Sequence, residues 1–386
     1  MINRDEAQNL LQDFLKIESI TPNVSEAFDF LERIFVKYNF QVHRLKFKSD
    51  ETYEVENMFA TIGSSKPHFC FVGHADVVTP GKISDWSHQP FSGYIENNTI
   101  FSRGAEDMKG PLISSIVAGI NYTQKYKDLN YRLSYLITGD EEGVAINGTK
   151  PTLEWLSNQS IKINDCIVTE PTSSEKLGDN IKIGRRGSLS LDLIIYGKQG
   201  HVAYPERASN PINPALSVLS DISGQIDEGT KKFLPTNIEV TSIDVDNHTH
   251  NLIPQSVRAS FNIRFNDLWD EQSLMRYLRD KISHKLEINQ ISWELQKISF
   301  AESYDAPNEE LCSLLMQTIF NRTKIQPSTN TLGGTSDARF VAKYCPVVEF
   351  GPVGRSMHQI DEKLPLDEFH LLTEIFEDFL FNYYSA

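Results

Sequence analysis

Leu133-Ser134-Tyr135-Leu136-Ile137-Thr138 runs directly into Gly139-Asp140-Glu141-Glu142-Gly143. A short, nearly all-apolar run bounded by glycine reads as a strand buried on both faces, the kind found in α/β sheets. The acids then fall just past the strand's carboxyl end, where open α/β sheets build their sites. The same arrangement recurs at Met58–Ile62, at Phe69–Val72 before Gly73-His74-Ala75-Asp76, and at Cys166–Thr169 before Glu170-Pro171. Helical apolar spacing fills residues 5–17 and 25–38 (Leu10, Leu11, Phe14, Leu15; Phe28, Leu31, Ile34, Phe35) and the stretch from Met108 to Tyr126. The strand ends would bring His74, Glu141, Glu142 and Glu170 to one crevice.

The pattern changes at Ser188. Leu189, Leu191, Leu193 and Ile195 alternate with more polar neighbours, as do Val257, Ala259, Phe261, Ile263 and Phe265. Such alternation predicts antiparallel strands with one wet face. With helical spacing near 211–222 and 270–286, a βαββαβ, ferredoxin-like α+β insertion of about 110 residues fits 185–299. Helix and strand then alternate again: a helix near 307–320, a strand at Pro346–Phe350, a helix over Leu366–Tyr383. The expected division is a first catalytic part over 1–184, the inserted domain over 185–299 and a second catalytic part over 300–386.

A chain of 386 residues exceeds what a single core usually organises, which agrees with more than one domain. The formal charge of −15 argues against nucleic acid or an anionic membrane as partner. The N-terminus, Met1-Ile2-Asn3-Arg4-Asp5-Glu6, has no apolar leader, and no run approaches about 18 apolar residues, so a cytoplasmic protein is expected. Cys70, Cys166, Cys312 and Cys345 lack Cys-x-x-Cys spacing and read as core thiols. Any metal here would be held by nitrogen and oxygen, which favours a catalytic over a structural site.

Each motif alone admits a bland explanation. Asp107, in Arg103-Gly104-Ala105-Glu106-Asp107-Met108-Lys109-Gly110, could cap the following helix. Glu141 and Glu142 could line a solvated loop, and His358 could be a surface histidine. His74 and Asp76, two apart on an extended strand end, point the same way, as two groups of one site should. Together, histidines and carboxylates after several strands supply what a two-metal hydrolase needs.

The chain resembles the M20 group of co-catalytic zinc peptidases and deacylases, and most closely its succinyl-diaminopimelate desuccinylases. The resemblance runs from the first helix to the last. It is carried by Gly139–Gly143 continuing into Ala145-Ile146-Asn147-Gly148-Thr149, by Gly184-Arg185-Arg186-Gly187-Ser188, by Gly200-His201-Val202-Ala203-Tyr204-Pro205, and by Gly333-Gly334-Thr335-Ser336-Asp337. It departs at Ser102, Thr169 and Ala338, where the family favours glycine.

The resemblance implies a mixed-sheet, zinc-exopeptidase-like α/β catalytic domain carrying a lid that also forms a homodimer. It implies two Zn²⁺ per subunit, with Co²⁺ able to substitute: one held by His74 and Glu170, the other by Glu142 and His358, with Asp107 bridging and a cis peptide after it. Asp76 would hold the His74 imidazole through its other nitrogen. Glu141 would be the general base and acid, and His201 would stabilise the oxyanion from the partner copy. Arg185, Tyr204, Asn251, Arg264, Gly334, Thr335 and Ser336 would line the substrate pocket, although Arg264 could equally be an exposed strand residue. The implied substrate is a small N-acyl amino acid, N-succinyl-LL-2,6-diaminopimelate. The rivals are a sister deacylase such as acetylornithine deacetylase or an N-acyl amino-acid hydrolase, and a non-catalytic scaffold member.

Overall fold

The structure is a computed structural model that describes residues 1–128, 130–286, 290–306 and 308–385. Its contacts divide the chain into two units. The first comprises Met1–Ile183, Ala306–Asn330 and Ser336–Ala386; the second comprises Gly184–Asp305 with Thr331–Thr335.

An eight-stranded mixed sheet forms the first unit, in the spatial order Gln41–Ser49, Thr52–Gly63, Arg132–Thr138, His68–His74, Asp165–Val168, Val347–Glu349, Asn180–Lys182 and Ser328–Asn330. Its centre is parallel: His74 stands opposite Thr138, Val72 opposite Val168, and Val168 opposite Glu349. Those strands therefore end along one edge of the sheet, and each runs on into a stretch that carries candidate site residues.

Helices cover the sheet for local reasons. Asn3 caps the helix Arg4–Leu15 by accepting from the Glu6 amide, and the Glu6 side chain returns the bond. That helix buries Ala7, Leu11, Phe14 and Leu15. The helix Lys109–Lys125 is buried over almost its whole circumference, which small residues at Ser114, Ser115, Ala118 and Gly119 permit. Lys109, fully buried in its first turn, donates to the main-chain oxygens of Ile17 (2.6 Å) and Phe14 (3.3 Å), tying down the C-terminal end of the first helix. The helix expected from 307 begins at Glu309, and position 307 lies outside the described residues. Among the elements that had not been expected are the edge strand Gln41–Ser49, the helix Thr149–Asn158 and the short strands Asn180–Lys182 and Ser328–Asn330.

In the second unit the strands Gly187–Tyr196, Asn237–Asp244, Ser256–Phe265 and Trp293–Ala301 form an antiparallel sheet, with Gly187–Tyr196 between Ser256–Phe265 and Trp293–Ala301. The helices Ile212–Ile222 and Glu271–Leu286 complete a βαββαβ, ferredoxin-like order. Leu189, Leu191, Leu193 and Ile195 join Val257, Ala259, Phe261, Ile263 and Phe265 in one apolar cluster with both helices. On the other face Asp192 accepts from Arg258 and from the Ser260 hydroxyl (2.6 Å). This unit runs to Asp305 rather than to 299, because Tyr304–Asp305 pairs with Gly184–Arg185.

The helix Lys109–Lys125 comes close to the sheet at Gly119. A methyl there would lie 2.0 Å from the Tyr135 hydroxyl oxygen and 2.9 Å from a Leu133 methyl. That hydroxyl already donates to Ser115 O at 2.7 Å. Gly119→Ala is therefore expected to destabilise the fold by about 1–3 kcal/mol, even though alanine favours helix by about 1 kcal/mol. A urea midpoint unchanged or raised in the variant would contradict the close packing.

Candidate metal centre

His74 is the last residue of its strand and is buried. Its Nδ1 lies 2.8 Å from the main-chain oxygen of Asp76, so Nδ1 carries a proton and Nε2 faces the cluster. The Asp76 carboxylate, expected to orient this ring, stands farther from Nδ1, at 3.6 Å. That carboxylate instead accepts from the Thr21 hydroxyl (2.7 Å) and from the amides of Glu142 (3.1 Å) and Glu141 (3.3 Å). Asp76 thus fixes the turn on which both glutamates ride.

Asp107 does not cap the helix that follows it; Met108 occupies the cap position with no side-chain bond, and the Asp107–Met108 peptide is cis. The Asp107 carboxylate faces two imidazoles instead. Its Oδ1 is 3.2 Å from His74 Nε2, and its Oδ2 is 3.4 Å from His358 Nε2. Glu142 Oε1 lies 2.9 Å from the same His358 nitrogen. Glu170 and Glu141 approach His74 Nε2 at 3.8 and 3.9 Å. His74, Asp107 and Glu142 offer ligand atoms within 4.8 Å of one another, and so do His74, Glu141 and Glu170. Glu141, expected to act only on protons, therefore sits as near His74 as Glu170 does.

The charge balance explains what this cluster is for. Burial raises the Glu141 carboxyl well above its usual range, and the charge of Glu170 adds to the effect. Burial also raises Glu142, against a bond from His358. Burial would raise Asp107 too, but bonds from His358 and His74 hold it far below the ordinary value. His358 is pushed up to about 10 by its bonds to Asp107 and Glu142. Burial works against a charged His74, yet Asp107 and the charges of Asp76, Glu141 and Glu170 push it well upward. Protons on the imidazoles balance the crowded carboxylates. Divalent cations would bind the same oxygens and nitrogens in exchange for those protons. The donor set, imidazole nitrogen and carboxylate oxygen without sulfur, suits zinc or a similar ion.

Of the other expected site residues, Arg185 is buried in the second unit and donates to Gly334 O at 3.0 Å. Arg264 is half-buried rather than exposed on its strand, and burial together with neighbouring Arg186 lowers its guanidinium pKa. His201, Tyr204 and Asn251 lie together: the two rings are 5.8 Å apart, and the Val202 amide donates to Asn251 O. Thr335 belongs to the second unit with Gly334. Ser336 belongs to the first and turns its hydroxyl toward the Ala338 amide at 3.3 Å. The sequence had pointed to no role for Glu106, Arg103 or Glu362, which are buried around the Asp107 turn. An arginine flanked by acids in a glycine turn was their only local signal.

The fold has known counterparts. A protein of Pelagibacter ubique named succinyl-diaminopimelate desuccinylase is 42% identical over 376 residues, covering 97% of this chain and 98% of that one. Among solved structures, an M20 family metallo-carboxypeptidase from Sulfolobus solfataricus superposes with a TM-score of 0.83 at 19% identity, covering 99% of this chain and 100% of that one. A Bacillus subtilis protein described as a dinuclear metal-binding peptidase of the M20 family gives 0.72 at 12% identity, with 97% of each chain covered. The model of peptidase family M20/M25/M40 matches residues 70–382. The chain belongs to peptidase family M20/M25/M40.

Proposed function

We propose that this chain is a succinyl-diaminopimelate desuccinylase, hydrolysing N-succinyl-LL-2,6-diaminopimelate to succinate and LL-2,6-diaminopimelate. The observation that carries the hydrolase reading is the Asp107 carboxylate, one oxygen toward each imidazole, with Glu141 beside it. The substrate follows from relatives of that name matched over nearly their full length.

In this reading His74 and Glu170 hold one Zn²⁺, Glu142 and His358 hold the other, and Asp107 is shared; Co²⁺ can substitute. When bound, such a pair acidifies water and polarises an acyl carbonyl. Glu141 takes the proton of the attacking water and returns it to the leaving amine, so that one water is consumed and carboxylate and amine are released. The burial that raises the Glu141 carboxyl suits it to carry that proton. Asp76 holds the Glu141 amide and so aims the base.

The substrate's carboxylates call for fixed cations and hydroxyls. We assign Arg185 and Arg264 to them, together with Tyr204, Asn251, Gly334, Thr335 and Ser336. His201 supplies the oxyanion donor from a second copy in a homodimer formed through the inserted unit. Its ring is exposed, and its Nδ1 accepts from the Ala203 amide at 3.0 Å, which leaves Nε2–H to donate.

Two experiments follow. A panel of N-succinyl-LL-2,6-diaminopimelate, N-acetylornithine and other N-acyl amino acids, assayed with zinc, cobalt, manganese or a chelator, should give the highest kcat/KM for the succinyl substrate and lose it on chelation. In the same panel Glu141→Gln should lower kcat by about 10²–10⁴ with bound metal unchanged. Faster acetylornithine hydrolysis would reassign the substrate, and chelator-resistant activity would refute the metal mechanism. Separately, an inactive His201→Ala chain mixed with an inactive Glu141→Gln chain should recover partial activity in verified heterodimers. No recovery would show that His201 does not act across the dimer.

A further inference from the structure

The two histidines of the centre arrive by different routes. His74 ends a central strand and Glu170 follows another almost at once, so the sheet itself places them. His358 lies in an irregular segment well past its strand, with a left-handed backbone (φ 61°) that is uncommon outside glycine. Asp107 sits in an equally irregular turn. Something other than the sheet must set these two side chains against each other.

The hydrogen bonds around them are reciprocal. Glu362, fully buried on the His358 segment, reaches into the Asp107 turn. Its Oε1 accepts from the amides of Glu106 (2.9 Å) and Asp107 (3.1 Å), and its Oε2 from the Gly104 amide (3.0 Å) and Arg103 Nη1 (2.6 Å). Glu106, buried in the turn, reaches back the other way. Its Oε2 accepts from the Ser356 amide (2.6 Å) and hydroxyl (2.8 Å), and its Oε1 from the Arg355 amide (3.2 Å). Arg103 completes the clamp: it stacks over Trp86 and donates to the main-chain oxygen of His358 at 3.4 Å. Each segment grips the backbone of the other by a carboxylate whose acceptor sites are largely filled.

We infer that Glu106 and Glu362 are positioning residues for the cation held by Glu142 and His358. They lock the Asp107 turn to the His358 segment, while the strand ends bring His74 and Glu170. The inference rests on the two-cation reading above and adds an asymmetry to it: the clamp sets two ligands of one cation, Asp107 and His358, but only the shared Asp107 of the other. Outer groups that orient metal ligands typically change affinity by 10–100-fold when removed.

The test is a competition titration of zinc against a chromophoric chelator, using the full-length protein and its Glu362→Gln, Glu106→Gln, Ser356→Ala and Glu142→Ala variants. Glu362→Gln and Glu106→Gln should weaken one of the two zinc affinities by about 10–100-fold and the other, which shares only Asp107 with the clamp, distinctly less. Their kcat should recover toward wild type at saturating zinc, with KM unchanged. Ser356→Ala, which removes one hydroxyl donor and keeps the backbone bonds, should show the same selectivity in smaller degree and carries the test if the glutamate variants fail to fold. Equal weakening of both affinities, or a lowered unfolding midpoint with both affinities intact, would make the clamp merely structural and overturn the inference. Glu142→Ala separates the two readings. If it still binds two zinc ions, the two-cation assignment fails. If it binds one while the clamp variants bind like wild type, only the positioning inference fails.

Discussion

Asp107 gives one carboxylate oxygen to His74 and the other to His358, and the rest of the molecule can be understood as the apparatus that makes this sharing possible. A lone buried carboxylate is costly, and this one lies among Asp76, Glu141, Glu142 and Glu170, all of its own sign. Such crowding is sustained only by positive charge. Protonated imidazoles provide some of it, and divalent cations held by the same nitrogens and oxygens would provide it in their place. The same burial that makes the cluster costly raises Glu141, so the expense of assembling the centre and the tuning of its proposed base have one origin.

Parallel strands are the means of assembly. In the central sheet the register sets His74 against Thr138 and Val72 against Val168, so ends that are distant in sequence lie side by side. Two kinds of support then finish the site. Asp76 holds the Glu141–Glu142 turn by its carboxylate and the His74 ring by its main-chain oxygen. Farther out, Glu362 and Glu106 bind the backbones of two loops together. Carboxylates near the centre thus do different work according to what they face, imidazole or peptide N–H.

Much of this was legible in the chain because it is local. Period-two alternation at Leu189–Ile195 and Val257–Phe265 marks the second unit's sheet, and the apolar runs before His74, Glu141 and Glu170 mark the sheet edge that carries the site. The strand Gln41–Ser49 escaped notice because it is an edge strand with exposed and half-buried positions, where His43, Arg44, Lys46 and Lys48 break any apolar pattern. The helix Thr149–Asn158 was hidden by glycine before it and by Pro151, a residue tolerated in a first turn but read as a breaker. Glu362 and Glu106 could not be assigned roles at all, since their partners lie some 250 positions away and an acid beside another acid looks solvated until the fold buries it. The division of labour at Asp76, main-chain oxygen to one neighbour and carboxylate to others, likewise exists only in three dimensions.

Anomalous scattering at the zinc absorption edge, from crystals of the protein as purified, tests the central claim most directly. The account predicts two peaks on either side of the Asp107 carboxylate, about 3.5–4 Å apart as in other paired-metal hydrolases, one against His74 and Glu170 and the other against Glu142 and His358. A single peak, or peaks that leave Asp107 in contact with only one ion, would contradict it.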